Sequence, residues 1–365
     1  MTSDLSARLL ALADSAETDV ERWTLRAQWA CAMARLGRID VARTEVASLR
    51  SRNSSYVPTL TAWILLAEGT ADHFESLSST AIDRFKRARG LAMAIGDDEI
   101  RGVAAAWMGA SEFLMAQYES GCLHALEAIR CSSESNTLAR SRAHLVLANC
   151  LNAVGLSSLA ARHYSKARQH AVEARDISMQ SAILYNVAAF HVSRLCEADA
   201  FGEPCEDELG IAELELNSIS NLDTGIGLGS LTAMVPLLRA QLLLIKRSWH
   251  EAEAIYSHSV DEAAAHGQQR IAARYLAEHA HCLAMLRQFG AAMTTASSAL
   301  TQITDRTDMD DRAACHARLA LCLSCLGNLA ESERQRLEAL RCRSAFAEFQ
   351  EAHRDRILSI ASEAV

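Results

Sequence analysis

The most constraining feature of this sequence is the regular spacing of its predicted turns between helices. The turn at Gly155 follows the turn at Ala116 by 39 residues, and the turns at Arg247, Arg287 and Gly327 are each 40 residues apart. A fixed period of this length, with apolar and small residues at helical spacing on both sides of each turn, indicates a repeated helical hairpin. One hairpin cannot bury its apolar face alone, so the chain is predicted to be a stack of hairpins.

The stretch 137–174 shows the repeated unit most completely. Its first half has apolar and small residues at helical spacing up to Gly155, and its second half places Ala160, Tyr164 and Ala167 on one helix face. The alanines allow close helix packing, and Tyr164 is predicted to fill the gap between hairpins. Met108 and Gly109 are interpreted as a similar point of close approach.

The predicted organisation is about eight hairpins between terminal helices. We predict a flexible boundary within the array, formed by a glycine-rich stretch with Gly225, Gly227 and Gly229 and by an insert at 197–207. A further polar insert is predicted around 72–79, after a helix that ends near Gly69, and the fifth turn is placed near Leu195. The predicted segments are an N-terminal capping helix at 1–18, repeats one to five at 19–224, repeats six to eight at 225–344, and a C-terminal capping helix at 345–365.

Composition and charge exclude several function classes. The chain has 365 residues, of which 50% are hydrophobic but only 5% aromatic and three are proline, a balance typical of an extended all-α protein. A net charge of −9 disfavours a nucleic-acid partner, because phosphate binding needs clustered lysines and arginines. The sequence contains no run of about 18 apolar residues, the length that would predict a membrane-spanning helix.

The cysteines and the amino terminus indicate the compartment. Eleven cysteines are scattered singly along predicted helices, which is typical of small buried side chains in a reducing environment. The first residues lack the basic start and apolar core of a signal peptide. We therefore expect a cytoplasmic protein.

The order of residue types in each hairpin resembles the tetratricopeptide repeat: a small residue, an aromatic or leucine, a turn, and then alanine, aromatic and alanine. The period of 39–40 residues is longer than usual for this family and resembles the arrays of bacterial peptide-sensing regulators. The resemblance implies an α-solenoid, a right-handed superhelix whose inner surface is built from the first helix of each hairpin and binds a peptide or protein segment.

The helical period predicts which residues line that inner surface. If Ala148 and Leu151 face the second helix of their hairpin, the adjacent stripe of polar residues faces the groove. Asparagine and glutamine can pair with an extended peptide of roughly 6–10 residues, and arginine can bind a carboxylate. The predicted groove residues are Arg142, Asn149, Asn152, Tyr185, Asn186, Gln241, Arg274, Glu278, His281 and Arg318.

Three function classes follow. The first is a non-enzymatic scaffold that binds a peptide or partner protein, without a cofactor or metal, and that could self-associate through a terminal helix. The alternative is a sensory module of a bacterial signalling system that changes shape on peptide binding and controls an output protein. An enzyme is disfavoured: Cys322 and Cys325 have zinc spacing but no second pair, and His279 and His281 diverge on their helix.

Overall fold

The computed structural model describes residues 4–53, 55–76, 79–226, 234–265, 269–304 and 307–364. Throughout these residues the regular structure is α-helical, with seventeen helices and no β-strand. The helices are α1 (Leu5–Asp14), α2 (Asp19–Arg35), α3 (Ile39–Arg52), α4 (Pro58–Ser76), α5 (Ser79–Ile95), α6 (Asp98–Leu114), α7 (Tyr118–Cys131), α8 (Thr137–Ala153), α9 (Ser157–Glu173), α10 (Ile177–Ala200), α11 (Glu206–Ile226), α12 (Met234–Ile245), α13 (Trp249–Ala265), α14 (Gln269–Met285), α15 (Phe289–Gln302), α16 (Met309–Cys325) and α17 (Leu329–Ser362). None of the helices in the described residues has the length and apolar content needed to cross a membrane.

After α1, consecutive helices pair into eight hairpins, from α2–α3 to α16–α17. The chain forms two compact units. Unit 1 contains the described residues up to Ile183 and those from Glu351 onwards, and unit 2 contains those from Leu184 to Gln350. This boundary lies inside α10. The predicted hinge at the glycine cluster stays a prediction, because 227–233 lie outside the described residues.

The predicted turns are confirmed by a shared backbone conformation. The turn residue has a positive φ in each case, between 57° and 76° at Ala116, Gly155, Arg247, Arg287 and Gly327. At Gly155 the N–H donates to the carbonyl of Asn152, and the N–H of Leu156 donates to the carbonyl of Leu151. These bonds satisfy carbonyl groups at the end of the first helix, which explains why each hairpin turns at the same place.

Arg287 occupies a turn position that favours glycine, because its φ of 62° lies in the left-handed region. Arg287→Gly is expected to raise the free energy of unfolding by about 1 kcal/mol, since the left-handed conformation costs an L-residue about 1–2 kcal/mol. Urea unfolding followed by circular dichroism measures the change. Arg287→Ala is the control, because it removes the same side chain but keeps the strained φ; equal stability of the two variants would contradict the prediction.

Helix α4 is longer than predicted. It does not end near Gly69 but continues to Ser76, so the predicted polar insert is wrong over 72–76. A Cβ on Gly69 would lie 2.6 Å from Cε1 of Phe85 on α5, which makes this glycine a point of close helix contact. Asp72 is buried within α4 and pairs with Arg84 at 3.0 Å. Residues 77–78 lie outside the described part of the chain.

Two other predicted breaks differ from the structure. Helix α10 runs to Ala200, and its turn has Gly202 at φ 74°, so the fifth turn is not at Leu195. The C-terminal helix is not separate, because α17 is continuous over 34 residues through Ala345. No glycine or proline interrupts α17, and Glu–Arg pairs three residues apart, such as Glu331–Arg334, support it.

The predicted close approach at Gly109 is observed between α6 and α7. A Cβ on Gly109 would lie only 2.8 Å from the carbonyl oxygen of Gly121. The two backbones therefore touch at this point, which places the inner face of α6 firmly relative to its hairpin partner.

Candidate functional site

The candidate site in unit 1 lies where α1 meets the first helices of four successive hairpins. A cavity of about 30 Å³ between them is lined by residues of all five helices. The lining residues are Leu5 and Leu9 of α1, Gln28, Cys31, Ala32 and Arg35 of α2, Trp63 of α4, Val103, Ala106 and Trp107 of α6, and Leu138 and Arg142 of α8. We call the surface formed by α2, α4, α6 and α8 the unit 1 groove. A cavity of this volume has room for little more than water, and Leu5 and Leu9 place α1 along one side of it.

One face of α1 is directed into the groove. Leu9 is 6% exposed and Ala13 is buried, whereas Leu12 is 50% exposed on the other side of the helix. The carboxylate of Asp4 accepts a hydrogen bond from the N–H of Ala7 and begins the helix. The N–H of Leu5 donates to the carbonyl of Arg175 at 3.0 Å. The predicted capping helix therefore covers an inner surface of the hairpins.

Two buried arginines line the groove. Nη2 of Arg35 lies 2.7 Å from Oδ2 of Asp176, but Nε of Arg35 has no hydrogen-bond partner in the described structure. The guanidinium of Arg142 lies over the ring of Trp107, 3.5 Å from its centroid, in a cation–π contact. Two guanidinium groups thus share this region with the carboxylate of Asp176.

Arg142 stays charged in this site, whereas His73 and Cys31 are neutral. Burial and the charge of Arg35 lower the pKa of Arg142 and Asp176 raises it, with a net fall to about 9, so Arg142 is still charged at neutral pH. Burial and the charge of Arg142 lower the pKa of His73 to about 3. Burial raises the pKa of Cys31 to about 12. An uncompensated positive charge therefore faces the groove.

Asn149 and Asn152 hold their own hairpin together. The hydroxyl of Tyr164 on α9 donates to Oδ1 of Asn149 at 2.8 Å, and Nδ2 of Asn152 donates to the same hydroxyl at 3.3 Å. Burial raises the pKa of Tyr164, which keeps its hydroxyl a donor. A role of these asparagines in ligand binding stays a prediction. It requires that their hydrogen bonds to Tyr164 break and that bonds to the ligand replace them.

The polar residues predicted on α12, α14 and α16 form a buried network in unit 2. Nε2 of Gln241 donates to both carboxylate oxygens of Glu278 at 3.0 Å, and the hydroxyl of Tyr256 donates to Oε2 at 3.0 Å. Arg274 donates to Glu278 at 3.2 Å and to Oδ1 of Asp311 at 2.9 Å. Three of the predicted groove residues, Gln241, Arg274 and Glu278, thus pair with one another, and their place on a ligand groove stays a prediction.

Two of the buried arginines of unit 2 hold the second half of α10. Nη1 of Arg274 donates to the hydroxyl of Ser193 at 2.7 Å, and Nη1 of Arg318 donates to Oδ2 of Asp199 at 2.8 Å. Nη2 of Arg318 also donates to the carbonyl of Cys196. Ligand binding by Arg274 and Arg318 stays a prediction, and it requires that α10 give up these bonds.

The remaining predicted residues are also in unit 2. His281 stacks on Trp249 with ring centroids 5.5 Å apart, and burial together with Arg318 and Arg247 lowers its pKa to about 3. Tyr185 is half-buried against the apolar core of unit 2, and burial raises its pKa. Asn186 is half-buried one residue further along α10.

One cluster of metal-ligand residue types occurs in the described residues, made of His316, Glu338 and Cys342 with ligand atoms within 4.8 Å. Nδ1 of His316 donates to Gln335 at 2.6 Å, and Glu338 is already paired with Arg341. Burial and Glu338 raise the pKa of Cys342, so the thiol stays protonated. Both His316 and Glu338 thus already have a partner within the chain.

Sequence reasoning missed Arg35, Trp63 and Trp107 and the position of α1. The leucines of α1 predicted an amphipathic helix but not the surface on which it packs. The signal available was the position of Arg35, seven residues after Gln28 and therefore on the same face of α2.

Comparisons with known proteins bear on the fold. No protein-family model matches this chain, and no curated protein matches its sequence. The chain is similar to a solved structure described as "Crystal Structure of Rap Protein Complexed with Competence and Sporulation Factor", with a TM-score of 0.61, 12% sequence identity and 94% of each chain covered. The fold is a tetratricopeptide-like helical solenoid. At this identity the similarity shows the fold alone, and it confirms the predicted all-α solenoid.

Proposed function

We propose that this protein is a non-enzymatic scaffold that binds a segment of a peptide or partner protein in the unit 1 groove. The observation that carries the proposal is the pair of buried arginines at the meeting point of four inner helices, with Nε of Arg35 unpartnered in the described residues. A buried donor without a partner is costly, so its retention in a groove fits a site that a ligand completes.

The chemistry of the groove indicates the ligand. Trp63, Trp107 and Val103 offer apolar walls, and Arg35 and Arg142 offer donors for a carboxylate. A segment with apolar side chains and one acidic group would satisfy both. The resemblance to long-period tetratricopeptide arrays supports this assignment, as does the Rap protein with this fold, which was crystallised with Competence and Sporulation Factor.

A second candidate function is the sensory one, in which binding controls an output protein. The position of α1 favours it, because Leu5 and Leu9 line the same cavity as Arg35 and Arg142, and a ligand that takes their place displaces α1. Binding would then be coupled to a change of conformation, which is what a sensor requires. The scaffold and the sensor share the same site and differ in whether the movement of α1 is read by a partner.

Arg142→Gln is expected to weaken binding of groove ligands by about 1.5–3 kcal/mol, the usual loss of a hydrogen bond to a charged group. A library of displayed random peptides of about 10 residues, the length of α1, is selected on the wild-type chain. The affinities of selected peptides are then measured for Arg142→Gln and for Arg168→Gln. Arg168 is exposed on the second helix of the same hairpin, so its substitution is the matched control.

The proposed function is wrong if no peptide is selected or if the selected peptides bind both variants equally. Thermal melting checks that Arg142→Gln is folded. Gln28→Ala is a second groove variant that removes no buried charge, and it is expected to weaken the same peptides. The predicted contribution of Asn149 and Asn152 is measured with their double alanine variant on the same peptides.

A further inference from the structure

The way α1 lies in the unit 1 groove leads to an inference about the class of ligand, which rests on the function proposed above. We propose that the ligand is an amphipathic helix with an acidic residue in its first turn, and that α1 is a built-in competitor which this helix displaces. The ligand would thus be helical and not the extended peptide predicted from the sequence.

The shape of the groove favours a helix. Leu5 and Leu9 line the cavity and Ala13 is buried, which places three residues at intervals of four on the inner face of α1. The opposing residues of α2 recur at the same helical spacing, from Gln28 to Arg35. One α-helix, α1, thus already packs along α2 at this site, with residues at helical spacing on both sides of the contact.

The hold of α1 on the groove is weak. The helix has 10 residues, fewer than the about 12–15 at which an isolated helix becomes even marginally stable. Only Leu9 and Ala13 are fully buried among them. The four residues 15–18 connect α1 to α2, and a connection of this length lets α1 leave while α2 stays in its hairpin.

The positive charges that line the groove favour an acidic residue in the first turn of the ligand helix. Leu5 lies at the first turn of α1 and lines the cavity together with Arg35 and Arg142, yet this first turn contains no acidic residue. Asp4 caps this N-terminus, but its Oδ1 accepts from the N–H of Ala7 and the hydroxyl of Ser6. Among the described residues it forms no ion pair with either arginine, so the two guanidinium groups share the carboxylate of Asp176. A ligand helix with an acidic side chain at the position of Leu5 would reach Arg142, which forms no ion pair within the described residues, and the unpartnered Nε of Arg35.

The competition is tested with a labelled synthetic peptide that copies residues 4–14 and with two variants of the full chain. Leu9→Lys places a charge on the buried face of α1 next to the arginines and should release α1, whereas Leu12→Lys makes the same change on its exposed face. Fluorescence anisotropy is expected to show at least about tenfold tighter binding to Leu9→Lys, equivalent to about 1.4 kcal/mol.

The acidic requirement is tested with a second peptide in which the residue corresponding to Leu5 is glutamate. We expect this peptide to bind the Leu9→Lys chain about tenfold tighter than the parent peptide does, and to lose that advantage when Arg142→Gln is added. The parent peptide should be affected much less by Arg142→Gln. An equal loss for both peptides would show that Arg142 does not recognise the acidic group.

The outcomes separate the two proposals. If library peptides depend on Arg142 but both synthetic peptides bind the Leu9→Lys and Leu12→Lys chains equally, or bind neither, the groove binds peptides and the inference about α1 is wrong. If library peptides do not depend on Arg142, the proposed function itself is wrong.

Discussion

Arg274→Met is expected to lower the free energy of unfolding by about 3–5 kcal/mol, the range for removal of one partner from a buried ion pair. Arg274 is 2% exposed and donates to Glu278 and Asp311, which would both remain as buried carboxylates without it. Methionine keeps much of the arginine stem, so the loss reports mainly on the unpaired charges. Urea unfolding followed by circular dichroism gives the change.

Arg334→Met is the matched control for this experiment. The side chain of Arg334 is 73% exposed and pairs with Glu331 one turn away on α17. Exposed pairs of this kind contribute about 0–1 kcal/mol. Equal and small losses for the two variants would show that the unit 2 network contributes little to stability.

Gly109→Ala is expected to destabilise the protein by about 1–3 kcal/mol, the usual cost of forcing extra atoms into a well-packed core. The added Cβ would lie 2.8 Å from the carbonyl oxygen of Gly121. The backbone fixes the positions of both the added Cβ and the carbonyl oxygen of Gly121. The contact can therefore be relieved only by moving α6 away from α7. Thermal and urea unfolding measure the loss.

Gly90→Ala is the control for the glycine experiment. Gly90 is an exposed residue within α5, and a Cβ there would have no neighbour within 4 Å. Alanine is a better helix former than glycine by about 1 kcal/mol, so this variant should be more stable than wild type. Opposite signs for the two glycines would show that contact, and not helix propensity, decides the effect at Gly109. A neutral or stabilising Gly109→Ala would contradict the prediction.

The hairpins could be predicted because their determinants are local. Helical spacing of apolar residues and the turns at Ala116, Gly155 and Gly327 lie within a few residues of the bonds that they control. Errors arose where a local signal had a tertiary cause. Gly69 resembles a helix end but permits contact with Phe85. A separate helix was predicted from residue 345, but no glycine or proline in 329–362 interrupts α17.

The hydrogen-bond partners of the predicted polar stripe could not be predicted from the sequence. Arg142 lines the cavity beside α1, and that Arg274 and Arg318 face a ligand groove stays a prediction. However, Arg318 donates to Asp199 across 119 positions of sequence, and Arg274 donates to Ser193 across 81. Pairing over such separations leaves no periodic signal in one sequence.

The sequence by itself determined the all-α class, the hairpin period and the positions of most turns, because these depend on backbone conformation and side-chain spacing within one or two helical turns. Only the tertiary structure decided which segments pack beside the predicted groove residues. Helix α1 lies beside Arg142 in unit 1, and the second half of α10 is bonded to Arg274 and Arg318 in unit 2. The physical reason is that the buried guanidinium groups of Arg274 and Arg318 bond to whichever oxygen atoms the fold brings near, independent of their place in the chain.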